Sequence, residues 1–203
     1  LGLVKRLPAE DRTIREGGWG AGLPFGLTGK TLGVLGLGTL GSGVARVGRA
    51  LDMEVIAWSQ NLTAERCAEF DVTLVEKEEL FRRSDVLSIH VILGERTRGL
   101  VTAADLARMK PTAYLINTSR GPIVDEPALI AALEGGKIAG AGLDVFDMEP
   151  LPAAHPFRRL PNVVVTSHIG GRTYENFSAR YKDCVEDVLA WLAQKPVRVV
   201  TAD

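Results

Sequence analysis

The sequence predicts an α/β chain built on a doubly wound parallel sheet with helices on both faces. Three observations predict it. Short apolar runs of strand length alternate with stretches of helical periodicity from Leu27 onward. A glycine-rich turn, Gly36-Leu37-Gly38-Thr39-Leu40-Gly41, lies between the first such run and the first such helix. Polar residues then cluster where later strands end, which is where sheets of this kind bind ligands.

The elements follow in order. Residues 31–35 form a first apolar strand, and apolar residues recur at helical spacing over 40–51. Residues 54–58 are a second strand, 72–75 a weak third, and 77–83 a charged helix. Residues 86–91 form a buried strand, and 100–108 a helix that stops before Pro111. A strand at 113–117, a helix at 125–133 capped by Gly135-Gly136, and strands at 138–145 and 163–166 come next. A long amphipathic helix over 174–194 is ended by Pro196. Residues 1–25 stand apart: 1–7 read as the end of an apolar helix, Pro8 to Asp11 as the start of a short turn, and Gly17 to Pro24 as a glycine-rich connection.

Composition narrows the partners. The 203 residues carry 24 basic and 25 acidic side chains, a formal net charge of −1, which gives no electrostatic reason to expect nucleic acid or an anionic membrane. No apolar run reaches the roughly eighteen residues of a spanning helix. The amino terminus lacks the layout of a signal peptide and an initiator Met, and Cys67 and Cys184 lie in no metal or redox spacing. The expectation is a soluble, cytoplasmic protein with two buried or partly buried thiols and no metal.

The glycine-rich turn makes the sheet Rossmann-type. Gly36 permits the tight turn, Gly38 lets the backbone approach a pyrophosphate, and Gly41 lets the helix pack on the strand. Thr39 and Leu40 offer free N–H groups at the positive end of the helix dipole. An acidic residue some twenty positions on commonly holds the ribose of NAD. Here the second strand exits into Trp58-Ser59-Gln60-Asn61, with no carboxylate. Ser59 would not repel a 2′-phosphate, and Arg66 is the nearest arginine that could grip one, so NAD and NADP both stay open.

Three later strand ends could carry chemistry. They are Asn117-Thr118-Ser119-Arg120-Gly121-Pro122, Asp144 with the following Asp147-Met148-Glu149-Pro150, and Ser167-His168-Ile169-Gly170-Gly171. Hydride exchange between a carbinol carbon and a nicotinamide needs a group that moves the hydroxyl proton, and histidine suits it. A carboxylate beside the ring would stabilise imidazolium, and an arginine would clamp a substrate carboxylate. His168, Glu149 and Arg120 supply that set. Singly, Arg120 suits a surface ion pair, Glu149 a solvated turn and His168 a structural role. Their joint occurrence at strand exits points to function. His155, between Ala154 and Pro156, reads as a surface residue.

These segments resemble, in order and spacing, the signatures of the D-isomer-specific 2-hydroxy-acid dehydrogenases over essentially the whole chain. The resemblance implies that Arg120 binds substrate, that Glu149 pairs with His168 as the catalytic dyad, and that Asp144 lies at the nicotinamide amide. The same segments place Thr118, Ser119, Arg120, His168, Gly170 and Gly171 beside the cofactor. Ser88 to Gly94 matches a family strand lining the cofactor, which puts His90 and Thr97 at its border. The family usually has Pro at the place of Ile92 and often Thr at that of Gly94, departures that weigh against an acid–base role for His90.

The implied activity is hydride transfer between NAD(P)H and a 2-keto acid or D-2-hydroxy acid. The implied organisation is an inter-lobe helix remnant and linker at 1–25, a dinucleotide-binding domain at 26–172, and a helix at 173–203 returning toward a substrate lobe. With that lobe absent, the chain is expected to bind cofactor but turn over poorly by itself. A formate-dehydrogenase-like enzyme and a dinucleotide-sensing corepressor are the alternatives; the intact Glu149 and His168 argue against both. The family also implies a homodimer, for which Trp19 and Trp191 could serve an interface or simply pack inside.

Overall fold

Strand-length runs of β-branched and aliphatic residues become seven parallel strands in the computed structural model, which describes residues 1–20 and 22–200. Ala21 of the glycine-rich connection and residues 201–203 lie outside the described residues. The elements are α1 (Leu7–Arg15), β1 (Thr31–Leu35), α2 (Thr39–Ala50), β2 (Glu54–Trp58), α3 (Ala64–Ala68), β3 (Thr73–Leu74), α4 (Lys77–Arg83) and β4 (Val86–Ile89). They continue with α5 (Ala103–Arg108), β5 (Tyr114–Asn117), α6 (Glu126–Glu134), β6 (Gly140–Leu143), β7 (Val163–Val165) and α7 (Tyr174–Leu192). The strand order β3-β2-β1-β4-β5-β6-β7, parallel throughout, is the doubly wound arrangement that the alternation predicts. The chain has two compact units, Leu1–Ser167, which holds the whole sheet, and His168–Asp203, which holds α7.

The strand period of two divides the core of the first unit between the sheet's faces. Leu32, Val34, Val55 and Ala57 join Ala45 of α2 and Cys67 of α3 in one buried cluster. Leu35, Ile56, Leu87, Ile89 and Leu115 point the other way, against Leu80 and Phe81 of α4 and Leu106 of α5. Both faces being covered explains why the strands read as continuous apolar runs.

The differences from the sequence reading have local causes. Residues 1–6 are not a helix end: a series of turns leads to Arg6, in the left-handed region at φ 55°, and α1 starts at Leu7 with Pro8 in its first turn. The segment does not stand apart either, since Val4 is buried and Phe25 meets Tyr114 of β5 edge-on at 5.5 Å. The helix expected over 100–108 begins at Ala103, because Val101 pairs with Val124 as an isolated bridge and Thr102 forms a capping box with Asp105. Helix α3 has no counterpart in the sequence reading; Thr63 caps it by accepting from the Arg66 N–H. Cys67 is buried as expected, and Cys184 is exposed.

Two buried carboxylates, Asp85 and Asp105, lie at the amino-terminal ends of the strands and of the helices beside them. The Asp85 carboxylate accepts from the Thr31 N–H and from Lys110 Nζ, each at 2.8 Å. Asp105, 5% exposed, accepts from Lys77 Nζ at 2.7 Å and from the Thr102 N–H at 2.9 Å. Burial alone would raise the Asp105 pKa, but the bonds from Lys77 and Thr102 outweigh it and hold the group below its ordinary value. A carboxylate depressed in the folded state stabilises above its unfolded pKa, and that stabilisation is lost as pH falls through the folded value. Asp105→Ala, which removes the carboxylate partner of Lys77 and half of the α5 capping box, is expected to cost about 3 kcal/mol in urea unfolding at pH 7. The difference from the parent should shrink as pH is lowered through the carboxylate range; a constant difference would contradict this account.

Candidate active site

The register aligns the strand ends. Trp58, Leu35, Ile89, Asn117, Leu143 and Val165 are successive neighbours across the sheet. One residue further along the chain stand Ser59, Gly36, His90, Thr118, Asp144 and Thr166. All but Thr166 are site residues expected from the sequence. The connectivity reverses between β1 and β4, so the crevice that such sheets use for ligands opens at Gly36 and His90.

Each glycine of the turn has a separate structural reason. Gly36 has φ 102°, and a Cβ there would meet Val91 Cγ1 at 2.8 Å. A Cβ on Gly41 would sit 1.9 Å from the Gly36 carbonyl oxygen, so the first turn of α2 can lie on the strand exit only without a side chain. Gly38 differs: its φ and ψ of −80° and −159° suit any residue, and no atom lies within 4 Å of where its Cβ would stand. That space lies over the first turn of a twelve-residue helix, where the N–H groups of Thr39 and Leu40 have no intrahelical acceptor. Residues 31–37 are buried whereas Gly38, Thr39 and Leu40 are exposed. An open cradle of backbone donors at a helix amino terminus fits a diphosphate.

Ser59 follows Trp58, whose carbonyl accepts from the Gly36 N–H at 2.9 Å, so the β2 exit flanks the turn. Arg66 ion-pairs with Glu69 and lies over the Phe70 ring, 4.5 Å from its centroid. His90 donates its N–H to the Leu35 carbonyl at 2.8 Å, and its Nε2 lies 2.8 Å from Ser88 Oγ. Burial pushes the His90 imidazole below its ordinary pKa, which keeps it neutral at pH 7. Thr97 Oγ1 donates to the Ile92 carbonyl at 2.6 Å and accepts from the Gly94 N–H at 2.8 Å. Its hydroxyl therefore ties the loop after β4 together.

The β5 exit is organised by Asn117, a residue with no role assigned from sequence. Asn117 is buried; its Oδ1 accepts from the Ser119 N–H and its Nδ2 donates to the Arg120 carbonyl, both at 3.0 Å. Ser119 Oγ donates to the Val91 carbonyl at 2.6 Å, which joins this turn to the β4 exit. Thr118 is exposed. Arg120 is exposed too, with Nη1 donating to the Ser119 carbonyl, and no carboxylate ion-pairs with it among the described residues of this unit. At the β6 exit Asp144 is buried and accepts from Thr166 Oγ1. Glu149 is exposed and Oε1 accepts from the Phe146 N–H at 3.0 Å. Burial and the neighbouring Glu126 carboxylate raise the Asp147 pKa above its ordinary value.

His155 is not the surface residue that its loop position suggests. Its side chain is 14% exposed, contacts the Phe157 ring, and lies 3.1 Å from the Glu126 carboxylate. In the second unit His168 holds a left-handed backbone, φ 55°, an uncommon conformation for a residue with a side chain. The Gly171 carbonyl accepts from Asn176 Nδ2, beside the Thr173 cap of α7.

Comparison with known proteins places this geometry. Residues 1–170 match the family described as D-isomer specific 2-hydroxyacid dehydrogenase, NAD binding domain. The chain is 37% identical over 197 residues to a glyoxylate reductase of Korarchaeum cryptofilum, covering 94% of this chain and 59% of that protein. It is 38% identical over 197 residues to a D-3-phosphoglycerate dehydrogenase of Synechocystis sp., covering 95% of this chain and 35% of that protein. A crystal structure of a phosphoglycerate oxidoreductase from Vibrio cholerae superposes with a TM-score of 0.90 at 32% identity, covering 95% of this chain and 63% of that one. The chain thus spans less than two thirds of the length of these relatives.

The two glycines at either side of the phosphate turn's centre are expected to respond differently to alanine. Gly41→Ala should lose about 2–3 kcal/mol of stability, because a backbone oxygen blocks the methyl group. Gly38→Ala should melt like the parent yet bind NADH at least about tenfold more weakly, since its methyl group fills the cradle. Equal losses of stability in the two variants would contradict the assignment.

Proposed function

The chain belongs to the D-isomer specific 2-hydroxyacid dehydrogenase family, as the part that carries the NAD binding domain, and we propose that it serves hydride transfer between a nicotinamide dinucleotide and a small 2-keto or D-2-hydroxy acid. The observation that carries the reading is the row of strand exits. It puts the diphosphate cradle of Gly38, Thr39 and Leu40 at one side of the switch point and the polar turns of β5 and β6 at the other. When bound, the nicotinamide supplies or accepts the hydride. Gly36, Gly38, Thr39, Leu40 and Gly41 hold the diphosphate, with Ser59 toward the ribose. Thr118, Ser119, Asp144, Gly170 and Gly171, with His90 and Thr97 at the border, line the remainder of the cofactor site.

In this reading Arg120 takes the substrate carboxylate, for which an exposed guanidinium that no carboxylate ion-pairs with among the described residues of its unit is suited. His168 moves the proton of the substrate hydroxyl, and Glu149 stabilises the imidazolium form. The substrate class extends to glyoxylate, hydroxypyruvate and related small acids, the first of which the name of the Korarchaeum cryptofilum relative contains. NAD and NADP are both compatible with Ser59. With Arg66 held by Glu69, the β2 exit offers no ready arginine for a 2′-phosphate, which favours NAD.

Residues 26–172 serve as the dinucleotide-binding domain, flanked by 1–25 and 173–203 as its connections toward a substrate lobe. The protein acts in the cytoplasm as a homodimer, without nucleic acid or membrane partners. Its net charge of −1 gives no electrostatic reason to expect nucleic acid or an anionic membrane, and no helix among the described residues is long and apolar enough to cross a membrane. Trp19, 92% exposed, is available to an interface.

The test is steady-state reduction of glyoxylate and hydroxypyruvate by NADH and by NADPH, measured on the full-length protein. His168→Gln and Glu149→Gln are expected to lower kcat by about 10²–10⁴-fold while leaving NADH binding in place. Arg120→Met should act chiefly through KM for the keto acid. Dinucleotide binding without turnover of any 2-keto acid would overturn the enzyme reading in favour of a sensor, and an unchanged kcat in His168→Gln would overturn the role given to that residue.

A further inference from the structure

A buried acid–base pair lies beside the β6 exit without taking part in the chemistry described above. Glu126 is the first residue of α6, whose amino terminus Asp125 already caps by accepting from the Ala128 N–H at 3.1 Å. Glu126 therefore has both oxygens to spare for the neighbouring loop. Oε2 accepts from the Asp147 N–H at 3.1 Å, and Oε1 lies 3.1 Å from His155 Nε2. The other ring nitrogen of His155, Nδ1, accepts from the Phe157 N–H at 3.3 Å. With Nδ1 as acceptor, the neutral ring carries its proton on Nε2 and donates it to Glu126. Both side chains are nearly buried, at 15% and 14% exposure.

These contacts bracket Glu149 in the chain. Asp147 comes two residues before it and His155 six after. The same short segment is gripped from the other side. A Cβ on Gly121 would lie 2.0 Å from the Phe146 carbonyl carbon and 2.5 Å from the Asp147 nitrogen, so the turn carrying Arg120 rests directly on the 146–147 peptide. The Phe146 N–H is in turn the donor to Glu149 Oε1. Phe157, whose ring meets that of His155 at a tilt of 49°, lies 6.3 Å from Phe146 in the core. One peptide unit thus touches the residue after Arg120, the Glu126–His155 pair and, through its neighbour's amide, the Glu149 carboxylate.

We propose that Glu126 and His155 are positioning residues that clamp the 146–147 peptide between α6 and Gly121, and thereby fix the Glu149 carboxylate relative to Arg120. The proposal rests on the reading of Glu149 and Arg120 as site residues. It assigns no proton transfer to His155, which lies on the α6 side of the loop. A clamp of this kind acts on turnover more than on cofactor affinity, because the diphosphate cradle lies across the sheet at β1 and α2. Misplacing a reacting group by about 1 Å costs on the order of a hundredfold in rate.

The test compares Glu126→Ala, His155→Ala and His155→Gln with the parent, using two readouts on the full-length protein. The first is amide hydrogen exchange at Phe146 and Asp147, which needs no activity. Exchange should accelerate at least about tenfold in both alanine variants, with cooperative global unfolding retained in His155→Ala, and return close to the parent rate in His155→Gln, whose amide can donate to Glu126. The second is kinetics with glyoxylate: kcat should fall about tenfold or more in the alanine variants, with the NADH dissociation constant changed far less and kcat largely restored in His155→Gln.

Unaltered exchange at both amides would overturn the clamp. So would equal losses of kcat and NADH affinity, or a His155→Gln variant no better than His155→Ala. A parent protein inactive on every 2-keto acid would instead overturn the reading of the site, with the exchange measurements still deciding the clamp. Should Glu126→Ala unfold through loss of its α6 contacts, His155→Ala and His155→Gln decide alone.

Discussion

At the start of α2 a hydrogen atom is all that separates the helix from the strand it follows. A Cβ on Gly41 would stand 1.9 Å from the Gly36 carbonyl oxygen, and one on Gly36 would press into Val91. This close approach sets where the helix begins, and so where its unsatisfied N–H groups point. Because Leu35 pairs with both Trp58 and Ile89, the same two glycines also fix the turn's place between the β2 and β4 exits. The open space over Gly38 is a by-product of this packing: the turn is too tight to fill itself, and the donors of the first helical turn face outward.

The two ends of the sheet handle polar groups in opposite ways. At the amino-terminal ends, Asp85 and Asp105 are buried with lysine partners and backbone donors, which makes them part of the scaffold. At the carboxyl ends the polar residues mostly bond to backbone: Asn117 to the turn it begins, Ser119 to the Val91 carbonyl, Glu149 to the Phe146 N–H. Backbone anchors of this sort place a side chain without neutralising it, and they leave the Arg120 charge available to a ligand.

Much of this was legible in the sequence. The alternation of apolar runs with helical stretches predicts the sheet, and β1, β2 and α4 fall where the periodicity puts them because nothing tertiary competes there. The glycine turn was legible because Gly36 and Gly41 answer local steric demands and Gly38 leaves open space beside the helix amino terminus. The strand exits were legible because a polar residue directly after a buried apolar run marks where the chain leaves the core. Where the reading failed, a distant partner decided. Val101 looks helical in isolation but pairs with Val124, and His155 looks like a loop residue until Glu126, 29 positions earlier, arrives beside it. Helix α3 is too short to show a period, although Thr63 before Ala64 is a cap signal that could have marked it. Asn117 was visible within its segment, yet its double hydrogen bond to the turn depends on backbone geometry that spacing does not specify.

The central claim is that the turn between β1 and α2 holds the diphosphate of a nicotinamide dinucleotide at the switch point of the sheet. Amide chemical-shift mapping of the chain during titration with NADH tests it most directly. Saturable shifts are expected, largest for Gly36 to Gly41, with further changes at Ser59 and at His90 and Val91 across the crevice. Shifts confined to another part of the sheet, or none in a folded sample at saturating NADH, would contradict it.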